Sequence, residues 1–153
     1  MATLHLMVGL PCSGKTTCAQ KLGREYNALV LTPDVWHLRL FGDDVGQAVH
    51  DIRHSNIEKI MWEVAERVLS LGCDVILDFG FWAREEREDF RRRAAALGVD
   101  FKLHYMEAPV DELFARLAVR NALPSDRAFV IPREEMERYL PIFEPPTAEE
   151  LQR

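Results

Sequence analysis

Gly9-Leu10-Pro11-Cys12-Ser13-Gly14-Lys15-Thr16 fits the pattern GxxxxGK[ST] at every fixed position. Two glycines let the main chain turn tightly, so that successive backbone N–H groups face inward around a phosphate. A helix opening directly behind the loop adds its positive N-terminal end. Lys15 supplies a mobile point charge for the β- and γ-phosphates, and the Thr16 hydroxyl is the expected Mg²⁺ ligand. Thr17 is expected near the α-phosphate. Residues 9–17 therefore read as a nucleotide-binding loop.

The flanks agree with that reading. Thr3-Leu4-His5-Leu6-Met7-Val8 is a short apolar run that stops at Gly9, as a buried parallel strand would. A helix is predicted over about 15–26, a second strand over 28–32, and a short helix or turn over 34–41. Residues 42–46 read as a polar loop. Ile57, Ile60, Met61, Val64, Ala65, Val68 and Leu69 form one helical stripe, stopped near Gly72. A third strand is predicted over 73–78, a charged helix over 84–97, a fourth strand over 101–106 and a helix after Pro109. A loop over 121–132 and a helix near 133–140 lead to a proline-rich end. Strands alternating with helices imply an α/β chain, a parallel sheet covered on both faces.

The chain has 153 residues, close to one average domain, and is read as a single domain over 1–153. Nineteen Lys plus Arg against 25 Asp plus Glu give a formal charge of -6, a balance that argues against long nucleic acid and anionic membranes as partners. No stretch approaches the roughly 18 apolar residues of a membrane span. The three cysteines, Cys12, Cys18 and Cys73, show no CxxC spacing, and no signal peptide is visible. A reduced, cytoplasmic protein is the expectation. In the 84–97 segment acids nearly cancel bases, and the spacings Glu88 to Arg92 and Asp89 to Arg93 fit exposed helical ion pairs.

Two acids complete the candidate site. Asp78 closes the apolar run Val75-Ile76-Leu77, where an acid beside a phosphate loop holds Mg²⁺ directly or through water. The triplet Asp78-Phe79-Gly80 also occurs in protein kinases, but the Gly-rich hairpin and HRD loop of that fold are missing. Asp34 lies just beyond the second strand, in Thr32-Pro33-Asp34, and strand C-terminal ends face the ligand crevice of an open parallel sheet. It is the expected base for an attacking hydroxyl; the competing reading is a helix N-cap. Arg116 and Arg120 stand one helical turn apart, with Arg127 in the loop beyond, and a lid of that kind closes over a triphosphate and neutralises developing charge. Arg120, at the hinge into the loop, is the first choice. No NKxD guanine motif is found, which points to phosphoryl donation rather than a GTPase switch.

These segments resemble the small P-loop kinases grouped with polynucleotide kinase, chloramphenicol phosphotransferase and the zeta toxins. The likeness runs over about residues 3–145 and rests on 9–17, Thr32-Pro33-Asp34, Leu77-Asp78-Phe79-Gly80-Phe81-Trp82 and 116–121. It implies a three-layer α/β/α P-loop NTPase fold with a sheet of four to five strands in the order 2-3-1-4-5 and a helical lid over about 116–132. Ala128-Phe129-Val130-Ile131 is the sole run left for a fifth strand. The resemblance also implies ATP as donor, Mg²⁺ as cofactor, Asp34 as base, and Arg116 and Arg120 on the transferred phosphate. Polynucleotide kinases carry an arginine close behind the base; here only His37 and Arg39 stand there.

Trp36, Phe81 and Trp82 follow strand ends and are candidates to line the acceptor pocket, with Arg39 and Arg53 as candidates to meet an anionic acceptor. His50 and His54 stand four apart and share a helical face; with no third ligand visible in the sequence they read as a polar or substrate-side pair rather than a metal site. Cys12, in the loop at a helix start, is a possible redox point, and Phe143 a possible adenine neighbour. The functional expectation is transfer of the γ-phosphoryl group of Mg-ATP to a hydroxyl of a small-molecule acceptor. The alternatives are a polynucleotide 5′-hydroxyl kinase and an ATP-binding regulatory module without transfer activity.

Overall fold

The computed structural model describes residues 1–42, 46–123, 125 and 127–152. Most of the polar loop expected between Gly42 and Gly46, and Pro124 and Asp126 of the expected lid, lie outside the described residues. The elements in chain order are β1 (Thr3–Val8), α1 (Lys15–Tyr26), β2 (Leu29–Leu31), α2 (Pro33–Phe41), α3 (Gln47–Ser70), β3 (Val75–Gly80), α4 (Arg84–Leu97), β4 (Asp100–Tyr105), α5 (Val110–Ala122), α6 (Arg133–Tyr139) and α7 (Ala148–Gln152).

The sheet is parallel, in the order β2-β3-β1-β4. Alternation along β1 sorts its side chains into two layers. Leu4, Leu6 and Val8 face one core with Ile57, Met61, Ala65 and Leu69 of α3 and Phe90 and Ala94 of α4. Met7 faces the other, with Ile76 and Ala19 of α1. Helices thus cover both faces of a three-layer α/β/α sheet. A third cluster joins Leu113 and Leu117 of α5 to Met136 of α6, with Leu10 and Cys12 of the glycine-rich loop packed against it. That cluster ties α5 and α6 to the loop.

The sheet has four strands among the described residues, matching the first four of the expected order. No fifth strand forms at Ala128-Phe129-Val130-Ile131. The Asn121 side chain takes that segment's hydrogen bonds: its amide donates to the Ile131 carbonyl at 2.7 Å, and its oxygen accepts from the Ile131 N–H at 3.2 Å. A backbone tied to a side-chain amide has no donor or acceptor left there for a ladder.

α4 departs from the expected solvated helix at one residue. Asp89 pairs with Arg93 at 2.8 Å as expected, while half-buried Glu88 meets half-buried Arg91 at 3.7 Å and Arg92 stands 3.8 Å from Asp89. Arg87, however, is 1% exposed. Its guanidinium grips the Glu150 carboxylate at 2.9 and 3.3 Å and donates to the carbonyls of Phe81 and Trp82. Glu150 also accepts from the Thr147 N–H at 2.9 Å while its own N–H donates to the Thr147 hydroxyl, a reciprocal cap that starts the unforeseen α7. Burial pushes the Glu150 carboxyl up, but Arg87 and the Thr147 N–H outweigh it and hold it below the usual glutamate range.

Removing one partner of a buried pair strands the other charge, so Glu150→Gln is expected to cost about 3–5 kcal/mol of stability at neutral pH. A carboxyl whose folded pKa is depressed stabilises above its unfolded value and loses that contribution as pH falls. The gap between parent and variant in denaturant melts should therefore narrow below about pH 4. An equal gap at all pH values would contradict this assignment.

Candidate active site

The loop after β1 is held tight by its own backbone. The Ser13 N–H donates to the Leu10 carbonyl at 3.2 Å, and the Gly9 N–H donates to the Gly80 carbonyl at 3.0 Å. A Cβ on Gly9 would lie 2.6 Å from Ser13 Oγ and 2.9 Å from the Met106 carbonyl oxygen, so only glycine fits. Gly14 turns into α1 with φ 95°, which costs glycine little. Cys12 adopts φ 68° without that freedom, a strained conformation at the loop's tip. Pro11 lies in the turn before it, and Thr17 is exposed in the first turn of α1.

Asp78 lies where β3 bulges. Between Leu6 and Val8 of β1 the partners run from Leu77 to Gly80, one residue more on β3. Such a bulge re-aims a side chain at the end of a strand. The strand expected to end at Asp78 in fact continues to Gly80. One Asp78 oxygen accepts from the Thr16 hydroxyl at 2.7 Å and from the Thr32 hydroxyl at 3.1 Å. Its other oxygen is buried with no hydrogen-bond partner among the described residues, as is Ser13 Oγ. Burial pushes the Asp78 carboxyl up, against the pull of Lys15 and the two hydroxyls. A desolvated carboxylate with an open oxygen beside a threonine hydroxyl is a donor set that fits Mg²⁺, a hard cation that prefers oxygen.

Lys15 donates to the Leu10 carbonyl at 3.0 Å. Burial lowers its pKa, the charges of Asp78 and Asp34 raise it, and Arg120 lowers it. Asp78, Asp34 and Arg120 thus lie within electrostatic reach of one ammonium, although they come from β3, α2 and α5. The helix N-cap position belongs to Thr32, with Pro33 opening α2. Asp34 therefore sits inside the first turn, where the helix dipole favours a carboxylate.

The lid arginines reach the same loop. Arg116 donates to the Cys12 carbonyl at 3.0 Å and pairs with Glu112. Arg120 contacts Cys12 Sγ at 3.6 Å and donates to the Phe129 carbonyl at 2.8 Å, while its Nε is buried without a partner among the described residues. Arg127 is exposed in the loop beyond.

The expected acceptor-side residues separate. Phe81 is 1% exposed and stacks on Phe79 at 5.2 Å, with Phe90 edge-on. Its φ of 44° turns it into the core, so it lines no pocket. Trp82 donates from its indole N–H to the Gly9 carbonyl at 3.2 Å and braces the loop. Trp36 is half-buried against the α3 side of the core. Arg53 lies over the Phe41 ring at 4.2 Å, and Arg39 is exposed in the last turn of α2.

Beside Asp34 stand His54, read from the sequence as one of a polar or substrate-side pair, and Glu58, which the sequence reading missed. His54 Nε2 stands 3.8 Å from Asp34 Oδ1. Glu58, one helical turn on, has its carboxyl pushed up to about 8 by burial, then by the charges of Glu86 and Asp34. The i, i+4 spacing of His50, His54 and Glu58 was the available signal.

On the far side of the loop, Leu10, Ser13, Tyr105, Met106, Leu113 and Phe143 help line a cavity of about 220 Å³. A larger one of about 330 Å³, bordered by Thr3, His5 and Asp100, opens where β1 and β4 begin, at the other end of the sheet from the loop. Among the described residues no helix is long and apolar enough to cross a membrane.

No curated protein sequence matches the chain. Among solved structures, the chain is similar to one in the Pnkp1/Rnl/Hen1 RNA repair complex: 25% identity and TM-score 0.75 over 92% of this chain, but only 43% of that one. Kti12 of Chaetomium thermophilum, solved with ADP-AlF3, aligns at 19% identity and TM-score 0.71 over 95% of this chain and 82% of its own. A gluconokinase of Sinorhizobium meliloti 1021 aligns at 14% identity and TM-score 0.62 over 98% and 78%. The fold is that of the P-loop kinases. A family model described as AAA domain matches residues 4–146. With nearly its whole length inside that match, the chain belongs to the AAA domain family.

Proposed function

We propose that the chain transfers the γ-phosphoryl group of Mg-ATP to a hydroxyl of a small-molecule acceptor. The observation that carries this reading is that Arg116 and Arg120 reach Cys12 of the loop whose Thr16 bonds Asp78, with Asp34 within electrostatic reach of Lys15. A nucleotide-binding module without chemistry needs the loop and the metal acid, but has no use for a second carboxylate and a lid arginine at the same point.

Residues 9–17 would cradle the triphosphate, and the cavity bordered by Phe143 and Met106 suits a flat base. Thr16 and Asp78 would hold Mg²⁺, which would supply positive charge to offset that of the phosphates. Asp34 takes the proton of the acceptor hydroxyl as its oxygen bonds to the γ-phosphorus. The bond from that phosphorus to the β–γ bridging oxygen breaks, and ADP leaves with the electron pair. Lys15 and Arg120 meet the charge that develops on the transferred group, and Arg116 holds the lid on Cys12. Glu58, largely protonated at neutral pH, is placed to donate a hydrogen bond on the acceptor side. Residues 116–132 act as the lid of one catalytic unit.

The second reading is a polynucleotide 5′-hydroxyl kinase, favoured by the likeness to the RNA-repair structure. The net charge of -6 weighs against it. Incubation with [γ-³²P]ATP, a 5′-hydroxyl oligonucleotide and a panel of small alcohols, gluconate among them, separates the two. Label on a small alcohol alone is the expected result. Label on the oligonucleotide alone would replace the acceptor assignment, and ADP formation with neither would overturn transfer.

A further inference from the structure

His37 on α2 is fully buried, and His50 and His54 on α3 are half-buried beside it. Their rings form a compact set: His37 and His50 stack at 4.3 Å between centroids, and His50 and His54 at 5.6 Å with 12° between planes. His37 Nδ1 and His54 Nδ1 are 3.1 Å apart. One ring nitrogen from each of the three falls within 4.8 Å of the others. A tetrahedral ion bound through nitrogen at about 2.0–2.1 Å needs its ligand atoms roughly 3.3 Å apart. One pair already meets that spacing, and the third ligand needs to close by up to about 1.5 Å.

We propose that His37, His50 and His54 form a three-histidine site for a divalent transition-metal ion, with zinc the best match. Three imidazoles from two helices supply the borderline-soft nitrogen donors that zinc prefers, with a fourth position left for water or an acceptor atom. This chemistry differs from the oxygen donors Thr16 and Asp78, so the two sites select different metals.

The surroundings match those of ligating histidines. With Nδ1 of His54 toward the metal, its Nε2 faces Asp34 Oδ1 at 3.8 Å, the carboxylate that commonly orients a ligating imidazole. Phe129 stands edge-on to His37 at 5.2 Å and to His50 at 5.0 Å, and Phe41 edge-on to His37 at 5.5 Å. These rings form the apolar wall that keeps bulk water from a metal. The Phe129 carbonyl accepts from Arg120, so the site, the lid and Asp34 share a boundary. The inference rests on the histidine geometry alone and does not require phosphoryl transfer.

The test uses the full chain without a histidine tag, titrated with Zn²⁺ by calorimetry and with Co²⁺ by visible absorption. One equivalent of each, and the intense d–d bands of tetrahedral cobalt, are expected. His50→Gln and His54→Gln should each weaken binding by more than about a hundredfold, beyond what loss of an orienting partner costs. Cys12→Ser, Cys73→Ser and Asp78→Asn should retain it. Zinc-edge X-ray absorption of the parent chain should show three imidazole nitrogens at about 2.0–2.1 Å, a result independent of whether any variant folds. No binding by the parent chain, a thiol in the first coordination sphere, or binding lost with Asp78 rather than with the histidines would overturn the proposal.

Discussion

Asp34→Asn leaves ATP binding nearly intact while phosphoryl transfer falls by about 10²–10⁴-fold, the usual worth of a positioned general base. Asparagine keeps the shape of aspartate but cannot hold the proton. Among the described residues Asp34 makes no hydrogen bond to the loop or to the Thr16–Asp78 pair and acts on Lys15 through its charge alone, so the cradle keeps its hydrogen bonds without it. Single-turnover kinetics at saturating Mg-ATP should place the loss in the chemical step, with the acceptor's KM little changed. Turnover close to that of the parent chain would remove Asp34 from the role of base.

Lys15→Ala is expected to lower ATP affinity and turnover together, with roughly 10²–10³-fold lost from kcat alone. The Lys15 ammonium donates to the Leu10 carbonyl at 3.0 Å. Burial already disfavours its charge, and Asp78 and Asp34 offset that cost only in part. A polyphosphate in the loop would give this ammonium the counter-charge it lacks, and its removal takes that gain from both ground and transition states. The acids would then face the phosphates without the cation between them. A variant that kept full affinity and lost only rate would mean that backbone amides alone hold the nucleotide.

The glycine-rich loop was legible because its pattern is contiguous in sequence, with Gly9 confined by Ser13 four residues on as well as by Met106, and Gly14 set by its φ of 95°. The alternation of strands and helices was legible too, since β1 is a continuous buried run and α3 buries Ile57, Met61, Ala65 and Leu69 at four-residue spacing. The fifth strand failed because Asn121, ten residues earlier in the chain, captures the Ile131 backbone. Phe81 reads as a strand-end aromatic, but its left-handed turn and the Arg87 bond to its carbonyl point it inward. α7 is held by a bond between residues 63 apart in sequence, Arg87 and Glu150. Of the histidine cluster, the sequence shows only the i, i+4 pair; His37 joins it through the packing of α2 on α3. Glu58 likewise meets Asp34 only across two helices. What depends on side chains from separate elements has no local signature, and the acceptor side of the site is built that way.

Above all, we propose that the loop after β1 encloses a nucleotide triphosphate. Isothermal titration of the chain with ATP in excess Mg²⁺ tests it most directly, with Lys15→Ala as the paired control. Saturable uptake of one ATP, weakened sharply in the control, is the predicted result. A parent chain that takes up no ATP, or takes it up identically with and without Lys15, would contradict the account.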